Sequence, residues 1–165
     1  MPHAPLSITI GPVLVRFTWA GDRWSHDVTV AGGGMWHSVE GPRADDGDAR
    51  WPASPVLVEL SPTDTAHGVA VLGVGLAGRS HFSASIAPDP AKPGRVRFEI
   101  ACRVKDRPLW LGSTYTDAAG KSREIRPVVP AGLSLPATVE WGYSFGADGM
   151  DFAAGAVAAC DRPGN

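Results

Sequence analysis

The sequence predicts an all-β fold, an antiparallel β-sandwich of about ten strands, with a closed antiparallel β-barrel as the alternative. Three observations support this. Apolar and polar residues alternate with a period of two in many short segments, 20 glycines and 15 prolines provide turns, and no segment shows the 3.6-residue period of an amphipathic helix. Prolines scattered along the chain are typical of protected sheet edges and favour the sandwich.

The chain is predicted to be a single all-β domain spanning residues 1–165. A chain of this length buries roughly 70% of its unfolded surface, which is enough for a hydrophobic core. Its 44% hydrophobic and 19% charged residues are typical of a globular protein. Residues 41–54 are acidic and lack periodicity, so they are predicted to form a long loop rather than a linker between domains.

The segment FTWAGDRWSHDVTV, residues 17–30, predicts a β-hairpin. Gly21 and Asp22 suit a two-residue turn, because glycine adopts a positive φ without steric strain. This turn fixes the register of the two strands. One face then carries four cross-strand pairs, which are Trp19 with Trp24, Phe17 with His26, Val15 with Val28, and Val13 with Val30.

A second hairpin is predicted from Val69–Leu76 and Ser80–Ala87, with its turn at Gly78 and Arg79. One face of this hairpin would pair Gly75 with Phe82, Gly73 with Ala84, and Val71 with Ile86. The other face of the first strand carries three apolar residues, Leu72, Val74 and Leu76. Because that strand is apolar on both faces, it is predicted to be central in its sheet.

Residues 95–105 form the clearest amphipathic strand, whose outer face and flank carry Arg95, Arg97, Glu99, Arg103, Lys105 and Arg107. Further strands are predicted at 35–40, 55–60, 110–116, 123–129 and 137–145. A type I′ turn at Asp148 and Gly149 would lead the chain back through Phe152. Residues 151–160, rich in small side chains, suit either a strand or a short helix.

Charge and cysteine content restrict the partners and the compartment. The net charge of −2 provides no basic field for nucleic acid or for a membrane surface, and no apolar run is long enough to cross a bilayer. The first residues lack the pattern of a secretory signal, and Cys102 and Cys160 lie far apart, so reduced thiols and a cytoplasmic location are predicted. The scarcity of lysine relative to arginine is typical of a GC-rich bacterial genome.

His26 is the first candidate for a functional side chain, because a histidine stands where the strand pattern expects a hydrophobe. It is either a ligand-contacting or acid–base imidazole in an aromatic pocket or a packed ring with satisfied polar atoms. As a binding site, Trp19, Trp24 and Phe17 would provide apolar walls for a small apolar or aromatic ligand, and His26 would provide the directional polar contact.

Trp51 and Trp110 lie beside prolines and loops, so they are predicted as a possible interface with a protein partner or a second copy. No cofactor is predicted, because the glycine-rich residues 31–36 lack the lysine and the helix that cradle a phosphate. The five histidines lack metal-ligand spacing, and the DDGD stretch at 45–48 lacks the calcium-loop series.

A serine hydrolase is disfavoured as well, and no catalytic residue is predicted. The pattern GxSxG is absent, and Ser80 and His81 are strand neighbours that point to opposite faces. His81, Ser83 and Ser85 share a face, which is typical of a polar outer surface.

The leading functional hypothesis is a non-enzymatic binding or interaction module that acts through an aromatic-rich face or pocket, or through self-association. A first alternative is an enzyme of cupin-like or barrel type, whose site would be assembled from dispersed residues such as His26, His37, His67 and Glu40. A second is a structural subunit of an oligomeric assembly.

Overall fold

The computed structural model describes residues 3–45 and 47–152, together with the backbone pairing of residues 156–159. These ranges contain no helix and thirteen β-strands. The first seven strands are β1 Leu6–Ile10, β2 Val13–Trp19, β3 Trp24–Val30, β4 Met35–Ser38, β5 Glu59–Thr65, β6 Gly68–Ala77 and β7 Ser80–Pro88. The others are β8 Val96–Val104, β9 Ser113–Asp117, β10 Ser122–Pro127, β11 Ala137–Gly146, β12 Gly149–Phe152 and β13 Ala156–Ala159.

The strands form two antiparallel sheets. The seven-stranded sheet has the order β1-β2-β3-β4-β9-β10-β13, and the six-stranded sheet has the order β12-β11-β8-β7-β6-β5. Both orders are linear, and the inward side chains of the two sheets join in one hydrophobic core. The predicted antiparallel sandwich is therefore confirmed, and the barrel alternative is wrong.

The first predicted hairpin is confirmed residue by residue. β2 and β3 pair with Phe17 opposite His26 and Trp19 opposite Trp24, and the turn between them places Gly21 at a φ of 99°. Period-two patterning explains why the inward side chains are buried, since alternate residues leave opposite faces of a strand. This hairpin places His26 inside the sandwich.

The second hairpin also has the predicted register, with Gly75 opposite Phe82 and Val71 opposite Ile86. The expectation that its first strand is central is wrong. β6 lies next to the edge strand β5, and the outward Leu72, Val74 and Leu76 are exposed. β5 itself is exposed at Pro62.

A long connection, whose described residues form no strand, links β4 to β5 and carries the chain from one sheet to the other. The predicted loop at 41–54 lies within it, but residues 51–57 are buried, so this part of the chain belongs to the core. The backbone at Val56 passes over Gly75, where a Cβ atom would lie 2.2 Å from the Val56 carbonyl oxygen. The strand predicted at 55–60 therefore begins only at Glu59.

The hairpin of β11 and β12 corrects two predictions. Gly146 pairs with Gly149, so the turn consists of Ala147 and Asp148 rather than Asp148 and Gly149. No non-glycine residue has a positive φ in the described ranges, so Asp148 cannot take the conformation that a type I′ turn requires.

Arg95 explains the position of that turn. Its side chain is 8% exposed, and the guanidinium forms an ion pair with Asp148 and donates to the carbonyl oxygens of Ser144 and Gly149 at 3.2 and 3.1 Å. Arg95 was predicted on the outer face of its strand, and this is wrong because it clamps the neighbouring hairpin.

The ambiguous residues 151–160 contribute parts of the two strands β12 and β13, while Cys160 lies outside the described residues.

Gly75→Ala is expected to destabilise the protein by about 1–3 kcal/mol, because the new methyl group would overlap backbone atoms that cannot rotate away. Gly73→Ala is the matched control, since its Cβ would meet the flexible ends of leucine side chains at 3.0–3.1 Å. Denaturant unfolding measures both. Equal free energies of unfolding in the two variants would contradict the close approach at Gly75.

Candidate functional site

The four residues predicted to form a ligand pocket separate into two groups. Phe17 and His26 lie in the core, at 0% and 8% exposure. Trp19 and Trp24 lie at the end of the hairpin, with ring centroids 5.5 Å apart, and His3 stacks on Trp19 at 3.9 Å. Among the described residues, the ring contacts of His26 reach Phe17, Phe98 and Tyr115 but neither tryptophan, and ligand binding by the four stays a prediction.

His26 belongs to a hydrogen-bonded line that joins the two sheets through the core. Its Nε2 lies 2.7 Å from the Tyr115 hydroxyl, and that hydroxyl lies 2.8 Å from the Tyr143 hydroxyl. Phe98 stacks between the His26 and Tyr143 rings, at centroid distances of 5.4 and 5.1 Å. Trp141 continues the polar contacts, donating from its indole nitrogen to the Ser113 hydroxyl at 2.9 Å.

Burial keeps all three titratable members of this line neutral near pH 7. It lowers the pKa of His26 to about 4 and raises the pKa of Tyr143 to about 12. Burial also raises the pKa of Tyr115 well above its ordinary value, and the Tyr143 hydroxyl adds to this. Each hydroxyl in this line can act as donor or acceptor, but the groups are uncharged and buried, so a substrate could not reach them. We therefore interpret the line as a structural bridge.

Glu40 lies beside this bridge. The Ser38 hydroxyl accepts the backbone N–H of His26 at 2.8 Å and donates to Glu40 Oε1 at 2.6 Å. The other carboxylate oxygen is buried and has no hydrogen-bond partner among the described residues. Burial raises the pKa of Glu40 to about 7, although Ser38 and Arg23 both act to lower it.

The residues named for the enzyme alternative do not converge. Ser38 connects His26 to Glu40, but the side chain of His37 is 57% exposed and contacts Asp27 at 2.5 Å. His67 lies in the turn between β5 and β6. Within residues 3–45 and 47–152, no three histidine, cysteine, aspartate or glutamate side chains form a group that could hold a metal ion.

Trp51 and Trp110 are core residues, at 4% and 2% exposure. Trp110 lies beneath the guanidinium groups of Arg43 and Arg126, at 4.8 and 5.9 Å from the ring centroid. The expectation that these two rings lie at the surface is wrong, because the long connection and its neighbours fold inward. An interface formed by their segments stays a prediction.

The outward face of the six-stranded sheet presents an apolar row that sequence reasoning did not identify as a site. We define the apolar row as Leu72, Val74 and Leu76 of β6, which are 45%, 47% and 56% exposed. The row stands on a sheet whose neighbouring strands carry mainly small or polar side chains outward. The signal in the sequence was the polar alternation of His81, Ser83 and Ser85, which marks this face as the outer one.

Two adjoining hollows of about 610 and 520 Å³ lie along the apolar row, and together we call them the outer groove. The groove is formed where the outward side chains are small, at Ser83, Ser85, Ala101 and Gly142. Charged side chains of both signs border this small-residue floor, namely Glu59, Arg97, Glu99, Arg103 and Glu140. An apolar wall, a shallow floor and a charged border together resemble a surface for a macromolecular partner more than an enclosed small-molecule site.

Comparisons with protein families, curated proteins and solved structures found no match for this chain. Among the described residues, no helix has the length and apolar character needed to cross a membrane.

Tyr115→Phe is expected to lower the free energy of unfolding more than Tyr143→Phe does. Removing the central hydroxyl leaves His26 Nε2 without its partner, at about 1–3 kcal/mol for a buried group, and takes one hydrogen bond from the Tyr143 hydroxyl, which keeps its contact with Ser113. Tyr143→Phe keeps the contact between His26 and Tyr115. Urea unfolding distinguishes the two variants, and an equal or reversed order would contradict the central position of Tyr115.

The wild-type protein is expected to lose stability as the pH rises, because Glu40 becomes charged in the folded state. Glu40→Gln should abolish this loss. The pKa of Glu40 is raised from 4.5 to about 7 on folding, so its contribution is fully present below pH 4.5 and lost as the pH rises through 7. The loss amounts to about 3 kcal/mol. His26 acts oppositely, because its lowered pKa removes stability as the pH falls from 6.5 towards 4.

Urea unfolding between pH 4 and pH 9 measures this effect as the difference between Glu40→Gln and the wild type at each pH. The difference should favour the variant increasingly above pH 4.5. Asp64→Asn, at an exposed strand position, is the control for the loss of one surface carboxylate, and the change between pH 4.5 and pH 9 should be larger in Glu40→Gln. A flat difference for Glu40→Gln would show that Glu40 is not desolvated in solution.

Proposed function

We propose that the protein is a non-enzymatic interaction module that binds a protein partner on the outer face of its six-stranded sheet. The observation that carries this proposal is the apolar row beside the outer groove. Three large aliphatic side chains in line on one strand make a contiguous apolar patch. Such patches, when bordered by polar groups, mark surfaces that another macromolecule covers.

The chemistry of the groove supports a protein rather than another class of partner. Its border carries both Arg97 and Arg103 and three glutamates, so it has no basic field for nucleic acid or anionic lipid. Apolar side chains of a partner would replace the water over the row, and polar groups at the border would fix their position.

A cytoplasmic location is part of the same proposal. Cys102 is a free, fully buried thiol, and burial raises its pKa to about 12. A buried, protonated thiol suits a reducing compartment, in which structural disulfides are rare.

Selection from a random-peptide library displayed on phage tests the proposed surface, with the protein immobilised sparsely through a terminal tag. We expect enrichment of peptides that carry several large apolar residues. Their binding should weaken at least about tenfold in the double variant Leu72→Lys/Leu76→Lys, because two apolar contacts are replaced by hydrated charges.

Leu14→Lys is the matched control, since Leu14 is 38% exposed on the outward face of the seven-stranded sheet. The enriched peptides should bind this variant as they bind the wild type. The proposal is wrong if no peptide is enriched, or if the peptides bind the double variant with unchanged affinity.

A further inference from the structure

We propose that the partner of this face is a second copy of the same chain, related by a two-fold axis that runs across the strands; this inference rests on the proposed function. The axis follows the row of residues Val74, Ser83 and Ala101, which are paired across β6, β7 and β8. A rotation about this axis places the two outer faces against each other with their strands reversed. A two-fold contact of this kind requires a patch that complements itself.

The apolar row has that property. Along β6 the outward residues read Leu72, Val74 and Leu76, so the pattern is the same in both directions from Val74. The rotation therefore sets Leu72 of each copy against Leu76 of the other and the two Val74 side chains against each other. All three side chains of the apolar row in each copy leave water in one step, which provides the main favourable free energy of association.

The charges on β8 are complementary under the same rotation. The outward residues on either side of Ala101 are Glu99 and Arg103, which have opposite signs. The two-fold operation sets Glu99 of one copy against Arg103 of the other, and it does so twice. Within one chain Glu99 also lies 2.6 Å from Arg97, and Arg103 donates to the Thr138 hydroxyl at 3.4 Å.

The small side chains between the row and the charges allow the two sheets to approach. Ser83 and Ala101 lie on the axis, and Ser85 beside Glu99 leaves space for longer side chains from the second copy. The outer groove is the space into which the side chains of Glu99 and Arg103 from both copies extend. The small residues at the centre of the axis therefore leave room for the longer side chains on either side of them.

Like charges meet at the margins of the contact, where Arg97 of each copy also faces Lys105 of the other. Glu59 lies on the edge strand β5, and Glu140 lies in the part of β11 that β12 does not cover. Both face their own counterparts in the second copy, where solvent and salt screen the repulsion. The five strands from β5 to β11 span roughly 19 Å, which places the interface at the small end of specific contacts.

Sedimentation equilibrium of the full chain from micromolar to millimolar concentration tests the arrangement. The wild type should form a dimer. Glu99→Arg and Arg103→Glu should each weaken dimerisation at least about tenfold, because each sets like charges against each other twice. The double variant Glu99→Arg/Arg103→Glu should restore the dimer, since the opposite pairs are re-formed with their signs exchanged. Circular dichroism confirms that each variant is folded.

Three outcomes would overturn this inference. They are a wild type that stays monomeric at millimolar concentration, single variants that dimerise as the wild type does, and a double variant that is not restored. A monomeric wild type whose outer face still selects peptides would leave the proposed function standing and remove only the second copy. If the face selects no peptide and the protein is monomeric, both proposals fail.

Discussion

The pairing register of β6, β7 and β8 is the constraint on which the rest of the molecule depends. A slip of one residue would turn Val71 and Ile86 outward and bring Leu72 and Ser85 into the core, because successive side chains of a strand leave opposite faces. The short turn at Gly78 fixes this register for the first pair of strands. The hydrophobic core, the apolar row and the outer groove are three results of the same alignment.

The core that this register produces contains a polar bridge rather than aliphatic packing alone. His26 and Tyr115 belong to the seven-stranded sheet, and Tyr143 belongs to the six-stranded sheet, so their hydrogen bonds cross the interior of the sandwich. An aliphatic core of the same volume would hold the two sheets through the fit of their side chains alone. Directional hydrogen bonds between buried groups allow one relative position, since an unpaired group in this environment is costly.

Local patterning was sufficient for the strands and for two hairpin registers. Alternation predicted that Phe17 lies opposite His26 and that Gly75 lies opposite Phe82, because both pairings depend on residues close in sequence. The seven-residue strand β5 was misplaced since the preceding segment packs into the core, where non-local contacts determine its path. Arg95 was misassigned for the same reason, as its partners lie about fifty residues further along the chain.

The site was less accessible to sequence reasoning than the fold. His26 was identified as unusual from the sequence. The partners that explain it, Tyr115 and Tyr143, lie 89 and 117 positions further along the chain. The apolar row was interpreted as part of a doubly covered strand, because an outward leucine and a buried leucine look alike in a sequence. The polar alternation of His81, Ser83 and Ser85 on the paired strand is the sequence signal that distinguishes the two.

Pro62, in the edge strand β5, limits how copies of this protein can join. A proline nitrogen carries no hydrogen, so another strand that docked along this margin would lack a rung of its ladder. Edge-to-edge growth of the six-stranded sheet into a fibril is hindered at β5. A contact between two sheet faces would instead leave this edge strand in water. The chain thus combines the outer face that we propose for a two-fold contact with a border that hinders the addition of further strands.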